Sequence, residues 1–127
     1  MKIKLSSVLV NDQDKAEAFY TGVLGFTKKQ DIPMGEHRWL TVVSPEAPDE
    51  VELLLEPLGF VPAEVYQREL LEAGIPLTGF AVSDVRAEYE RLVGQGVRFT
   101  GEPVDAGTTI IAVFHDTCGN LIQIYQV

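Results

Sequence analysis

Short apolar runs along the chain alternate with polar ones, and twice the spacing of apolar positions switches from a period of two to a helical period. Leu5 to Val10 is rich in β-branched and apolar residues and closes on Asn11-Asp12, whose short side-chain oxygens suit a helix N-cap. A helix is predicted from Asp14 to about Val23, with Ala16, Phe19, Tyr20 and Val23 on one stripe and Gly25 just past its end. Three extended segments follow, roughly 26–31, 38–43 and 51–56. The second half repeats the plan, with a strand at 77–82, Asp84 as cap, a helix at 85–93 and a stop at Gly94 to Gly96. Extended segments at about 97–100, 108–114 and 120–126 complete it, with turn residues between them.

The two halves also share words. Lys15-Ala16-Glu17 returns as Arg86-Ala87-Glu88, Gly25 as Gly96, and Val10-Asn11-Asp12 as Val82-Ser83-Asp84 with a shift of one residue. Solenoids need three or more units to bury their faces, so two units favour a closed pair. A chain of 127 residues is long enough to bury one shared core. A single domain is therefore expected over 1–127, with one module at about 1–56, a linker helix in 57–76 and a second module at about 77–127. Within the linker, Ala63, Tyr66, Gln67, Leu70 and Leu71 suggest a short amphipathic helix closed by Gly74 and Pro76, serving as a connector, a lid or a dimer contact.

Charge and cysteine content narrow the partners. A net charge of −9 repels phosphate backbones and argues against nucleic acid. No apolar run approaches the length of a membrane span, and Met1-Lys2-Ile3-Lys4 leads straight into a strand rather than a signal peptide. A soluble, cytoplasmic protein is expected. One cysteine, Cys118, allows neither an internal disulfide nor a cysteine-based zinc cluster. His115, Asp116 and Cys118 are close enough in sequence to suggest a nucleophile and base, but His115-Asp116-Thr117-Cys118-Gly119-Asn120 reads better as a hairpin connection.

Strand alternation divides the apolar positions between two faces. Val8, Val10, Leu53, Leu55, Phe80, Val82, Ile122 and Ile124 form an apolar face for the helices. The opposite face carries Leu5, Ser7, Leu9, Glu52, Leu54, Leu77, Gly79, Leu121, Gln123 and Tyr125, a few polar groups in apolar surroundings of the kind that line ligand pockets.

The chain resembles the vicinal oxygen chelate superfamily, which includes glyoxalase I, extradiol dioxygenases, fosfomycin resistance proteins and bleomycin-binding proteins. The resemblance rests on Val10-Asn11-Asp12, Ala18-Phe19-Tyr20 with Val23-Leu24-Gly25-Phe26, Val51-Glu52-Leu53, Phe114-His115-Asp116, Gly119-Asn120 and Ile122-Gln123-Ile124. It covers nearly the whole chain. It implies an α+β fold of two βαβββ modules whose strands form an open half-barrel mixed sheet around a cleft, with the helices outside.

Metalloenzymes of that superfamily place His and Glu ligands on the first and last strands of each module. Those positions fall here on Leu5, Glu52, Leu77 and Gln123. Two aliphatic side chains, one carboxylate and one amide do not hold a divalent metal, and His37 and His115 lie off these positions. No metal and no cofactor are expected. The leading reading is a metal-free small-molecule binding protein, with Ser7, Trp39, Glu52, Gln123 and Tyr125 contacting the ligand. Glu52 is the one candidate acid or base, its pKa raised if desolvation dominates; alternatively it pairs with Arg38. An enzyme of lyase, isomerase or dioxygenase type, using Glu52 or one divalent metal at a relocated site, is the second reading. A structural module with a filled cleft is the third. A homodimer is expected, with Tyr66, Leu70 and Leu71 as interface candidates.

Overall fold

In the computed structural model, which describes all 127 residues, the chain forms two compact units, Met1–Val65 and Tyr66–Val127. Unit 1 contains β1 (Leu5–Val10), α1 (Gln13–Glu17), a π-helical turn (Ala18–Val23), β2 (Thr27–Met34), β3 (His37–Val43) and β4 (Glu52–Pro57). A helix α2 (Val61–Ala73) carries the chain onward. Unit 2 contains β5 (Thr78–Val82), α3 (Val85–Gly94), β6 (Val104–Asp105), β7 (Ile110–His115) and β8 (Leu121–Gln126). Each unit has a four-stranded mixed sheet, ordered β1-β4-β3-β2 in the first and β5-β8-β7-β6 in the second. The first and last strands of each unit pair in parallel, and the remaining pairs are antiparallel. This is the βαβββ plan expected from the repeat.

Both caps fall where the sequence puts them. The Asp12 carboxylate accepts from Lys15 N at 3.0 Å and that of Asp84 from Ala87 N at 3.1 Å. The first helix widens into a π turn after Glu17, with Leu24 N donating to the Phe19 carbonyl. Phe19 packs edge-on against the buried Tyr20, whose ring stacks on Phe26. The unit 1 core is Val8, Val10, Ala16, Tyr20, Leu40, Val42 and Leu55; that of unit 2 is Val85, Leu92, Ala112, Phe114, Ile122 and Ile124.

The predicted strand at 97–100 is not one. Phe99 makes a single bridge to Phe114, and β6 forms later, at Val104–Asp105. The reason is packing: Phe99 is held between Tyr89 of α3 and Phe114, with centroids 4.7 and 5.4 Å away, and so serves the core more than a ladder. Elsewhere the shifts are at element ends, the largest being β2, which runs on to Met34.

The turn between β7 and β8 is a buried polar knot. The fully buried Asp116 carboxylate accepts from Cys118 N, Asn120 N and Asn120 Nδ2 at 2.8, 3.0 and 2.8 Å. Gln67 of α2, also buried, donates through Nε2 to the Cys118 carbonyl and to Asn120 Oδ1. Gly119 has φ +99°, and a β-carbon there would stand 2.8 Å from the Gln67 side chain. Both facts disfavour a side chain at 119, through left-handed backbone strain and the displacement it would force on the Gln67 amide. Cys118 is fully buried in this knot, which removes the thiol from any nucleophilic role.

Candidate functional site

Register assigns every strand residue to a face, because residues opposite each other across a pair share one side of the sheet. In unit 1 a row runs Ser7, Leu54, Thr41, Gln30, and the next runs Leu5, Glu52, Val43, Thr27. Trp39, two residues before Thr41, lies on the same side. Arg38 lies on the other side, where its guanidinium bonds Asp14 and Glu17 of α1, so that side carries the helix. Ser7, Trp39 and Glu52 therefore share the helix-free face of sheet 1.

Glu52 is set by neutral donors. Its Oε1 accepts from Gln30 Nε2 at 2.6 Å and from Thr41 Oγ1 at 2.7 Å, and Thr41 Oγ1 in turn accepts from Gln30 N. A register shift between Lys28 and Gln30 aims the Gln30 side chain at this carboxylate. The alternative pairing with Arg38 does not occur, because Arg38 is on the opposite face and engaged by Asp14, Glu17 and Asp31 at 2.9 to 3.0 Å. The condition for a raised pKa, that desolvation dominates, is not met either. The hydrogen bonds from Gln30 and then Thr41 outweigh desolvation and hold the carboxyl below its ordinary value. Glu52 is ionised at neutral pH, so it does not act there as a general acid. Its Oε2 has no protein partner.

In unit 2 the row Gly79, Gln123, Val113 lies beside the row Ala81, Tyr125, Ile111. Phe114, on the alternate side, packs with Phe99 next to α3, so Gln123 and Tyr125 are on the helix-free face of sheet 2. Gly79, rather than Leu77, stands opposite Gln123. The Tyr125 ring lies against Gly79, its Cδ1 and Cε1 3.6 Å from where a β-carbon would be, so the bare glycine gives the ring its place. Neither Gln123 nor Tyr125 has a side-chain hydrogen bond within the protein, and both are half-buried.

His115, considered in the sequence only as a base beside Cys118 or as a metal ligand, has a different place in the fold. It is off the metal-ligand positions, yet it pairs with Leu121 on the face of Gln123 and Tyr125. The alternation Ile111, Val113, His115 along β7 carried that information. His37 likewise shares the side of Trp39, at the exposed end of β3. A cavity of about 370 Å³ lies elsewhere in unit 1, lined by Asn11, Asp12, Gln13, Glu36, His37 and Arg38 among others. Its central side chains are already engaged, Gln13 by the Arg38 and Leu55 backbone and Arg38 by three carboxylates, so the sheet face is the stronger candidate.

No three His, Cys, Asp or Glu side chains converge as metal ligands. Leu5, Glu52, Leu77 and Gln123 do not fit the divalent metal of the superfamily's enzymes, because only one of the four offers a charged oxygen.

Two βαβββ units, each with its helix on one face of a mixed sheet and half-buried polar side chains on the other, define the class. The family model of the Glyoxalase/Bleomycin resistance protein/Dioxygenase superfamily matches residues 2–124, and the chain belongs to that superfamily. It is 54% identical over 126 residues to the uncharacterized protein YurT of Bacillus subtilis (strain 168), covering 99% of each chain. The crystal structure of UcmS2 superposes with a TM-score of 0.84 at 33% identity, over 100% of this chain and 98% of the other. TnmS3, an antibiotic binding protein from Streptomyces sp. CB03234, superposes with a TM-score of 0.75 at 30% identity, over 99% of this chain and 95% of the other. No helix is long and apolar enough to cross a membrane.

Proposed function

We propose that this protein binds a small organic molecule without a metal, on the helix-free surface of its sheets, and catalyses no metal-dependent reaction. One observation carries the reading: the two kinds of sheet face treat polar side chains differently. On the helix side the larger polar groups are engaged, Arg38 by carboxylates and Gln126 by Val85 N. On the helix-free side Ser7, Trp39, Gln123 and Tyr125 make no side-chain hydrogen bond, and Glu52 keeps one oxygen unpartnered. With Ser7 exposed beside them, the half-buried Trp39, Glu52, Gln123 and Tyr125 among Leu54, Leu121 and Val113 are the arrangement that orients a ligand. The likeness to an antibiotic binding protein supports the same reading.

Trp39 is the single tryptophan, so its fluorescence reports on the unit 1 face directly. Aromatic small molecules are expected to quench it saturably in the wild-type protein, and Glu52→Gln to weaken that quenching. Stoichiometric iron, zinc, nickel or manganese in protein purified without added metal would falsify the metal-free part.

A homodimer is proposed on the apolar residues around the start of α2. Phe60, Val61, Val65 and Tyr66 are all exposed, which extends the expected stripe toward the N-terminal end of the helix. Leu70 and Leu71 are half-buried. Sedimentation at micromolar concentration tests it, a sole species of 14.0 kDa being the contrary result. A free thiol suits a reducing compartment, which supports a cytoplasmic location.

A further inference from the structure

Arg98 stands directly across from His115. Phe99 and Phe114 form an antiparallel bridge, with His115 N donating to the Arg98 carbonyl and Thr100 N to the Val113 carbonyl on either side. In that geometry the neighbours of the bridge, Arg98 with His115 and Thr100 with Val113, project to the side opposite Phe99 and Phe114. That side is the helix-free face of sheet 2. The Arg98 guanidinium has no ion pair or hydrogen bond, and neither has the His115 imidazole, although the protein carries a net charge of −9 and nineteen acidic residues. Two donor groups thus stand side by side and uncommitted at one end of the face that carries Gln123 and Tyr125. Leu121 and Leu77 continue the row from His115 across the sheet, so the half-buried imidazole has apolar neighbours on that side, while Arg98 stands exposed at the outer edge.

Resting on the reading that the helix-free faces bind a small molecule, we propose that Arg98 and His115 form an anion-recognising end of the unit 2 face, which takes the carboxylate of an aromatic ligand. The ring of that ligand packs on Tyr125. The Tyr125 ring lies over Gly79 on β5, one row along and two strands across from His115 on β7, so about 7 Å along the strands and about 9.6 Å across them separate the two positions, roughly 12 Å on the diagonal. A fused bicyclic acid laid on that diagonal crosses the row of Gln123, and the Arg98 and His115 side chains reach toward its carboxylate from the far end. Burial, and then Arg98, hold the imidazole below its ordinary pKa, with Asp116 opposing. No other charged group flanks His115 on β7, on β8 or on the segment around Arg98, and the Asp116 carboxylate is turned into the β7–β8 knot. A bound carboxylate would favour the protonated imidazole, so affinity for the acid should rise as the pH falls from 8 toward 5.5.

The probes are 2-naphthoate, 2-naphthamide and 2-naphthylmethylammonium, titrated into the full chain and followed by NMR at the side chains of His115, Gln123 and Tyr125. Naphthoate is expected to shift all three, to bind more tightly at lower pH, and to lose about tenfold in affinity in Arg98→Gln. His115→Phe should remove the pH dependence, and His115→Gln serves if the phenylalanine variant does not fold. Naphthamide should respond to Arg98→Gln by less than about threefold, since no charge pair is lost. Should the probes shift Gln123 and Tyr125 alike whatever their charge, with Arg98→Gln and pH without effect, the anion-recognising pair is overturned while small-molecule binding stands. Should no probe shift any residue of either helix-free face, both fail together.

Discussion

The last two strands of each unit are joined in opposite ways. In unit 2 the connection from His115 to Leu121 is short and buried, with Asp116, Gln67 and Asn120 bonding one another and the backbone. In unit 1 the equivalent connection, 44–51, is longer and mostly exposed. It is held by backbone turns at Ala47 and Glu50 and by Lys29 and Lys4 reaching Asp49. The strand that follows each connection carries the candidate residue, Gln123 in unit 2 and Glu52 in unit 1. Gln123 therefore hangs from a rigid support and needs no side-chain partner, whereas Glu52 hangs from a pliable one and is fixed instead by Gln30 and Thr41. A repeat keeps its topology while each copy finds its own way to hold a polar group on the open face.

The largest effect expected is on the rigid support. Asp116→Ala leaves Cys118 N, Asn120 N and Asn120 Nδ2 without their acceptor in a buried place and should cost about 3 kcal/mol or more in chemical denaturation. Gly119→Ala should cost about 2 kcal/mol, since the position is left-handed and the new methyl meets Gln67. If both variants melted like the wild type, the contrast between the two connections would be lost.

Much of that contrast was legible in the sequence. Asp116-Thr117-Cys118-Gly119-Asn120 announces a tight turn by its residue types, and the alternation in β1, β4, β5 and β8 sorts the two faces correctly. Gln67 as the partner of the turn was not legible, because nothing local links residue 67 to 119. The bulge at Lys28 to Gln30 was hidden for a related reason: it is a mismatch between two strands, and no single strand displays it. Without it, a basic side chain such as Arg38 is the only structural partner the sequence offers Glu52, and the neutral donors that lower its pKa are hidden. The place of His115 is legible through the alternation along β7, but its partner Arg98 is not, because the segment around it makes a single bridge where the sequence predicts a strand.

The pliable side gives intermediate effects. Glu52→Ala leaves the buried Thr41 hydroxyl without its acceptor and should cost about 1 to 2 kcal/mol. Glu52→Gln keeps an oxygen for both donors and should cost under about 1 kcal/mol, while a ligand held by the free carboxylate oxygen would lose about 1.5 to 3 kcal/mol of binding. Equal stability losses in the two variants, with affinity unchanged, would mark Glu52 as purely structural.

Acid separates the two faces by pH. Glu52 has a folded pKa below 4.5, so its contribution to stability is present above 4.5 and is lost as the pH falls through the folded value. His115 has a folded pKa below 6.5, so the fold favours the neutral imidazole; its contribution is full above 6.5 and declines as the pH falls from there through the folded value. His115→Gln should flatten the stability profile just below pH 6.5, and Glu52→Gln only below 4.5. Profiles that change in the same window would contradict the assignment.

The smallest effect belongs to the exposed connection. Asp49 is almost fully exposed and bonds Lys29 Nζ at 3.3 Å. Asp49→Ala removes one screened surface pair while the Lys4 contact, made to the Asp49 backbone carbonyl, survives the substitution. Stability should change by less than about 0.5 kcal/mol, and less still at high salt. A pliable connection can give way without loosening Glu52 only if Gln30 and Thr41 are what fix it. Asp49→Ala should thus leave the acid transition below pH 4.5 in place. A transition shifted toward 4.5 would show that the carboxylate depends on the connection after all.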